Sequence, residues 1–103
     1  MAGKPILFHS QAAAEYEASF DWYFESSELA AARFSMELET ALEMISEGPH
    51  RWPNYSHGTR KFVLQRFPFI VIYRELPSSI QVLAVAHGHR RPGYWRKRLH
   101  SDK

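Results

Sequence analysis

The chain has 103 residues, enough for one small domain spanning 1–103 and too few for two. Because 45% of the residues are hydrophobic and 15% aromatic, we expect a packed core rather than disorder. The absence of cysteine excludes a disulfide framework and a cysteine-based metal site. No stretch approaches the roughly 18 apolar residues of a membrane span, and the N-terminus lacks the apolar run of a signal peptide. We therefore expect a cytoplasmic protein that makes no contact with a membrane.

The net charge of +2 conceals a strong division between the two halves of the chain. Residues 1–48 carry nine acids and two bases, a balance of −7, whereas residues 49–103 carry eleven bases and two acids, a balance of +9. Such asymmetry indicates that the second half meets an anion, either nucleic acid or an acidic protein. The alternative is that the two halves neutralise each other within the fold.

The first half predicts two helices. Pro5–His9 is a short apolar run that fits a first strand, and the Ser10 hydroxyl is placed to cap a following helix. Ser26-Ser27 interrupts the helical pattern, and Gly48-Pro49 ends it. The link between the helices is so short that an antiparallel helical hairpin is expected. Two apolar stripes at spacings of three and four carry this prediction: Ala13, Tyr16, Phe20 and Tyr23, then Ala30, Phe34, Leu38, Ala41, Leu42 and Ile45.

After the loop at 50–58 the period changes to that of strands. Residues 59–65 alternate, and residues 69–73 and 80–86 are nearly continuous apolar runs, which is typical of strands covered on both faces. The short connector at 76–79 predicts a hairpin between the last two strands. We therefore predict an α+β fold with the helical hairpin on one face of a small antiparallel sheet. The basic C-terminal segment around Tyr94 and Trp95 is the local candidate to cover the other face.

That C-terminal segment holds the most concentrated chemistry of the chain. Arginine matches phosphate geometry and aromatic rings stack on unpaired bases, so contact with nucleic acid is one interpretation. The alternative is a solvated basic tail in which Trp95 is a buried anchor. The residues in question are Arg90, Arg91, Arg96, Lys97 and Arg98, with Tyr94 and Trp95 between them.

Histidines and further arginines surround this segment. His87 and His89 follow the last strand, where an imidazole is suited to proton transfer near neutral pH, or to closing the strand by a hydrogen bond. The pair lacks a third ligand of clear spacing, so we expect no metal site and no cofactor. Arg60, Arg66 and Arg74 lie on or beside the strands, where they either hold a phosphate near the tail or pair with the helical glutamates.

Taken in order, several segments resemble the RelE/ParE superfamily of toxins from bacterial type II toxin–antitoxin systems. The final segment, a strand followed by His-x-x-Arg-x-Pro-x-Tyr-Trp, is most similar to the ParE-type, plasmid-stabilisation branch. The segments that carry the resemblance are Trp22-Tyr23, Leu29-Ala30, Trp52-Pro53, Gly58-Thr-Arg60, Arg66-Phe-Pro-Phe-Ile-Val-Ile-Tyr73, Val85-Ala-His-Gly-His-Arg90 and Pro92-Gly-Tyr-Trp95.

The resemblance implies a growth inhibitor and leaves its target open. ParE-like members act on DNA gyrase without a recognised nuclease site, whereas RelE-like members cut mRNA in the ribosome. For cleavage, Arg60 and Arg90 would hold phosphate and Tyr94 or His87 would handle a proton. The second strand carries only Lys61, so the paired lysines of ribosome-dependent cutters are absent. A third alternative is an inactive relative that only binds an antitoxin.

The resemblance also implies a cognate antitoxin that wraps the toxin. We expect an acidic or amphipathic segment that packs apolar side chains on the sheet and places carboxylates near Arg90. Residues predicted to contact either the antitoxin or the target are Arg66, Arg74, His89, Arg91, Trp95 and Arg96.

Overall fold

The computed structural model describes residues 3–101 and contains two helices packed on a four-stranded sheet. Neither helix among these residues combines the length and apolar character needed to cross a lipid bilayer. The sheet order is β1-β4-β3-β2, so the last strand in the sequence lies inside the sheet. In chain order the elements are β1 Ile6–Phe8, α1 Ser10–Ser26, α2 Glu28–Glu47, β2 Arg60–Val63, β3 Phe69–Glu75, β4 Ile80–His87 and a 3₁₀ turn at Arg96–His100.

The helical hairpin forms as predicted, with Ser27 as its only linking residue. Ser27 caps α2 by accepting a hydrogen bond from the Ala30 amide at 3.1 Å. The prediction of Ser10 as the cap of α1 is wrong by one residue. His9 takes that position, and its Nδ1 accepts from the Gln11 amide at 3.1 Å. Burial, with Arg98 nearby, lowers the pKa of His9, so the ring stays neutral and keeps the lone pair that the cap needs.

The sheet is mixed rather than wholly antiparallel. β2, β3 and β4 pair antiparallel through short connections, as predicted, but β1 runs parallel to β4 with Ile6 beside Ile80. The difference arises because the whole helical hairpin follows β1, and a connection of that length allows the chain to return in parallel. The residues of β1 do not indicate which strand it will pair with, so its sequence alone does not predict whether that pairing is parallel.

Each face of the sheet has its own apolar cluster. The hairpin covers one face, where Phe34, Leu38 and Ile45 of α2 pack on the strands. The C-terminal segment covers the other, and Trp95 is only 2% exposed. The pairing of β3 with β4 skips Leu83, which forms a bulge between Val82 and Ala84. Because of the bulge, two successive residues of β4 join the cluster beneath Trp95.

Candidate functional site

The C-terminal segment is fastened to α1 by a single carboxylate. Glu15 receives both terminal nitrogens of Arg98, at 3.0 Å and 2.8 Å, in the bidentate geometry of a strong ion pair. The same carboxylate accepts from the Tyr94 hydroxyl at 2.8 Å and from the Val85 amide at 2.9 Å. Arg98 also donates to the Leu83 carbonyl at 2.8 Å, so the pair bridges the edge of β4 beyond the end of β1. These hydrogen bonds fix the direction in which the C-terminal segment leaves the sheet.

Tyr94 is part of this structural network. Burial and the hydrogen bond to Glu15 raise the pKa of Tyr94 far above its ordinary value, so the phenol is neutral and serves as a donor. The Arg90 guanidinium lies 3.8 Å from the centre of the Tyr94 ring, and one of its nitrogens lies 4.0 Å from Glu15. Arg90 and Tyr94, both predicted as catalytic groups, are therefore neighbours, with the hydroxyl directed at a carboxylate.

Arg60 lies far from the other candidate catalytic residues. Its guanidinium donates to the Trp52 carbonyl at 2.6 Å on the helical face of the sheet. Arg60 pairs with Tyr73 of β3 while His87 pairs with Phe69, a separation of about 13 Å along the strand at roughly 3.3 Å per residue. The structure does not bring Arg60 together with His87, Arg90 or Tyr94.

The two histidines do lie together, at the end of β4. The His87 and His89 rings stack at 5.0 Å, and the His89 amide donates to His87 Nδ1 at 3.1 Å. The other face of His87 meets Phe69 at 5.2 Å. The Arg90 amide closes the turn by donating to the His87 carbonyl at 3.0 Å. Within residues 3–101, no three His, Cys, Asp or Glu side chains gather as a metal site would require.

The remaining predicted contact residues divide into buried and exposed positions. Trp95 packs on the sheet, and Arg74 donates to Gln81 and to the Leu99 carbonyl, so both hold the C-terminal segment in place. By contrast, four cations of that segment are exposed. Arg90 lies over the Tyr94 ring, and the other three form what we call the basic face: Arg91, Arg96 and Lys97. Arg66 is also exposed, but it lies beside α2, where its amide donates to Glu37.

A groove of about 880 Å³ lies between α2 and β2, and the sequence patterns did not reveal it. Its apolar walls include Met36 and Val63, which are 69% and 57% exposed. The helical hairpin and the C-terminal segment cover the two faces of the sheet, so neither face offers an apolar surface to a partner. The α2–β2 groove does offer one. Cationic residues that line it are Arg33, Lys61 and Arg66, of which Lys61 holds its ammonium group 4.8 Å from the centre of the Tyr55 ring.

Comparison with known proteins now adds to this geometry. Residues 6–92 match the family model described as ParE toxin of type II toxin–antitoxin system, parDE. The chain belongs to the ParE toxin family. The RelE/ParE resemblance seen in the sequence is thereby confirmed, and a ParE-family toxin of a type II system has an antitoxin as its partner.

Two known proteins are similar to this ParE-family chain. The curated protein Toxin RelE1 of Caulobacter vibrioides is 29% identical over 85 residues, covering 81% of this chain and 91% of that protein. A solved structure titled "Chromosomal ParDE TA system from P. aeruginosa" superposes with a TM-score of 0.71, at 20% identity, covering 82% of this chain and 95% of that one. The superposition shows that the fold is shared.

The ParE-family match ends at residue 92, before the residues that fasten the C-terminal segment. Glu15 lies inside the matched region, while Tyr94, Trp95 and Arg98 lie beyond it. Sequence reasoning named the tail cations but not Glu15. The sequence did contain one indication of its role. Glu15 is next to Tyr16 on the inner side of α1, where a carboxylate needs a hydrogen-bonding partner.

Proposed function

We propose that this ParE-family toxin inhibits growth by binding DNA gyrase, and that the basic face makes the contact. The observation that carries the proposal is the way the C-terminal segment is held. Glu15, Arg98 and Trp95 fasten it to the sheet, while Arg91, Arg96 and Lys97 remain exposed. Cations on a backbone that is already held in place favour recognition of an acidic surface, because little backbone freedom is lost on binding.

The dispersal of the candidate catalytic groups also supports binding over cleavage. The Tyr94 hydroxyl is engaged by Glu15, and Arg60 is turned towards the loop at Trp52 on the opposite face. Proton transfer requires groups within hydrogen-bond reach of one reacting centre. The alternative, cleavage of mRNA in the ribosome, draws support from the cluster of His87, His89 and Arg90, which do lie together.

We further propose that the antitoxin occupies the α2–β2 groove. The groove is mainly apolar, and its cations match an amphipathic segment that carries carboxylates along its edges. β2 is an edge strand, so beyond its bridge near Asn54 it offers backbone groups to an added segment. The target and the antitoxin would then use different surfaces.

For the target, the basic face is reversed in a variant with Arg91→Glu, Arg96→Glu and Lys97→Glu. Because these side chains are exposed, the fold should persist, and inhibition of gyrase supercoiling is expected to fall about 10–100-fold. The measurement is the toxin concentration that halves supercoiling, together with plating after induced expression. If wild-type protein in excess leaves supercoiling unchanged and induction creates new mRNA 5′ ends at ribosomal A sites, gyrase binding is wrong and cleavage is supported.

For the antitoxin, the matched variant carries Arg33→Glu, Lys61→Glu and Arg66→Glu and changes the net charge by the same amount. Like charges should then face the carboxylates of the antitoxin, so the affinity is expected to fall about 10–100-fold while gyrase inhibition is retained. The measurement is titration calorimetry with the purified cognate antitoxin. If instead the basic-face variant loses antitoxin binding and the groove variant retains it, the antitoxin binds the basic face and the proposed roles of the two surfaces are reversed.

A further inference from the structure

Two polar atoms in the wall of the α2–β2 groove lack partners in the described part of the chain. The first is Glu37 Oε1. The other oxygen of this carboxylate accepts from the Gln65 amide at 2.6 Å and the Arg66 amide at 3.2 Å, which fixes the turn after β2, but Oε1 is buried with no donor. An unpaired buried carboxylate oxygen is unfavourable, so this position has an unused capacity to accept a hydrogen bond.

The second atom is Trp52 Nε1, a donor without an acceptor. The indole packs against Phe62 with ring centres 4.5 Å apart, and this packing holds the N–H in a buried position. Trp52 and Glu37 both line the α2–β2 groove. The walls of one groove therefore contain an unused acceptor on the α2 side and an unused donor on the loop that precedes β2. Because both atoms are buried, a docking segment must displace the side chains above them to reach them.

We propose that Glu37 and Trp52 determine which antitoxin binds, by requiring a hydrogen-bond donor and an acceptor within the otherwise apolar stripe of the antitoxin segment. This inference rests on the proposed antitoxin site and adds its specificity. The surrounding cations select acidic residues at the edges of the segment, while the Glu37–Trp52 pair selects a polar residue or a peptide group in its centre. A site that hydrogen-bonds its ligand rejects an analogue that lacks the group, because buried polar atoms are then left unpaired.

The test is Glu37→Gln, which replaces the unpaired acceptor oxygen with a donor and preserves the turn after β2. The amide oxygen of glutamine can still accept from Gln65 and Arg66, while its NH₂ replaces the free oxygen. We expect affinity for the purified cognate antitoxin to fall about tenfold. The direction of the change in affinity separates two explanations. If only net charge matters, removing a negative charge should strengthen the binding of an acidic segment. Trp52→Phe is expected to lower the affinity by a similar factor.

The matched control is Glu43→Gln, which removes the same charge from an exposed position of α2 outside the groove. It should bind the antitoxin within twofold of the wild type. All three variants should retain the thermal midpoint and the growth arrest of the wild type when expressed without antitoxin. Equal affinities for Glu37→Gln and Glu43→Gln overturn the inference. If the variant with Arg33, Lys61 and Arg66 reversed still loses binding in that case, the groove remains the antitoxin site and only the polar selection fails.

Discussion

Replacing Glu15 with alanine is expected to lower the free energy of unfolding by about 3–5 kcal/mol, because it leaves a buried charge without its partner. The Arg98 side chain is 10% exposed and has two of its nitrogens on Glu15. The Tyr94 hydroxyl and the Val85 amide lose their acceptor in the same variant. The measurement is urea unfolding followed by circular dichroism, with the slope of the transition compared between proteins.

Glu17→Ala is the control for Glu15→Ala, since Glu17 is an exposed glutamate on the same helix. It should change the stability by no more than about 0.5 kcal/mol. A double variant, Glu15→Leu with Arg98→Met, should recover part of the loss because no charge is then buried. A loss below about 1 kcal/mol in Glu15→Ala would mean that the Arg98 guanidinium reaches water, and the carboxylate would not be what fastens the tail.

Replacing Trp95 with alanine is expected to lower the free energy of unfolding by about 3–5 kcal/mol, the usual range for removal of a buried large aromatic side chain. Trp95 shares an apolar cluster with Leu83 and Ala84 at the bulge of β4, so its removal leaves a cavity over that strand. For a domain of this size that is a large share of the total stability. Thermal unfolding by calorimetry measures the loss.

Trp22→Ala provides the comparison for Trp95, because Trp22 is 66% exposed on α1. Its removal should change the stability by no more than about 0.5 kcal/mol. If the two tryptophan variants prove equally stable, the C-terminal segment is not part of the core, and the basic face has no fixed support. A fixed basic face is the premise of the proposed target contact, so the result bears on function as well as on folding.

The sequence predicted those parts of the fold that local patterns encode. The apolar stripe of α2, the interruption at Ser26-Ser27, the end of α2 at Gly48 and the strand runs after residue 59 all rest on neighbours within one or two turns, and all are confirmed. The cover of the second sheet face was also predictable, because two continuous apolar strands need protection on both sides.

What the sequence did not predict depends on contacts between distant residues. The parallel pairing of β1 requires knowing that Ile6 meets Ile80, and the bond between Glu15 and Arg98 joins positions 83 residues apart. The helix cap moved from Ser10 to His9 because the His9 ring is enclosed by the fold. The predicted catalytic residues are separated for the same reason. The alternation of β2 places Arg60 on the helical face of the sheet, whereas the C-terminal segment lies on the opposite face.

The position of β4 inside the sheet has a consequence for the order of folding. α1 and α2 are neighbours in the chain and can associate early, because their contacts are local. β1 cannot join the sheet until Ile80–Val82 is available, and the bidentate ion pair of Glu15 cannot form until residue 98 has been synthesised. Contacts that close such long loops form late. The surface proposed to act on the target is therefore the last part of the molecule to take shape as the chain is made.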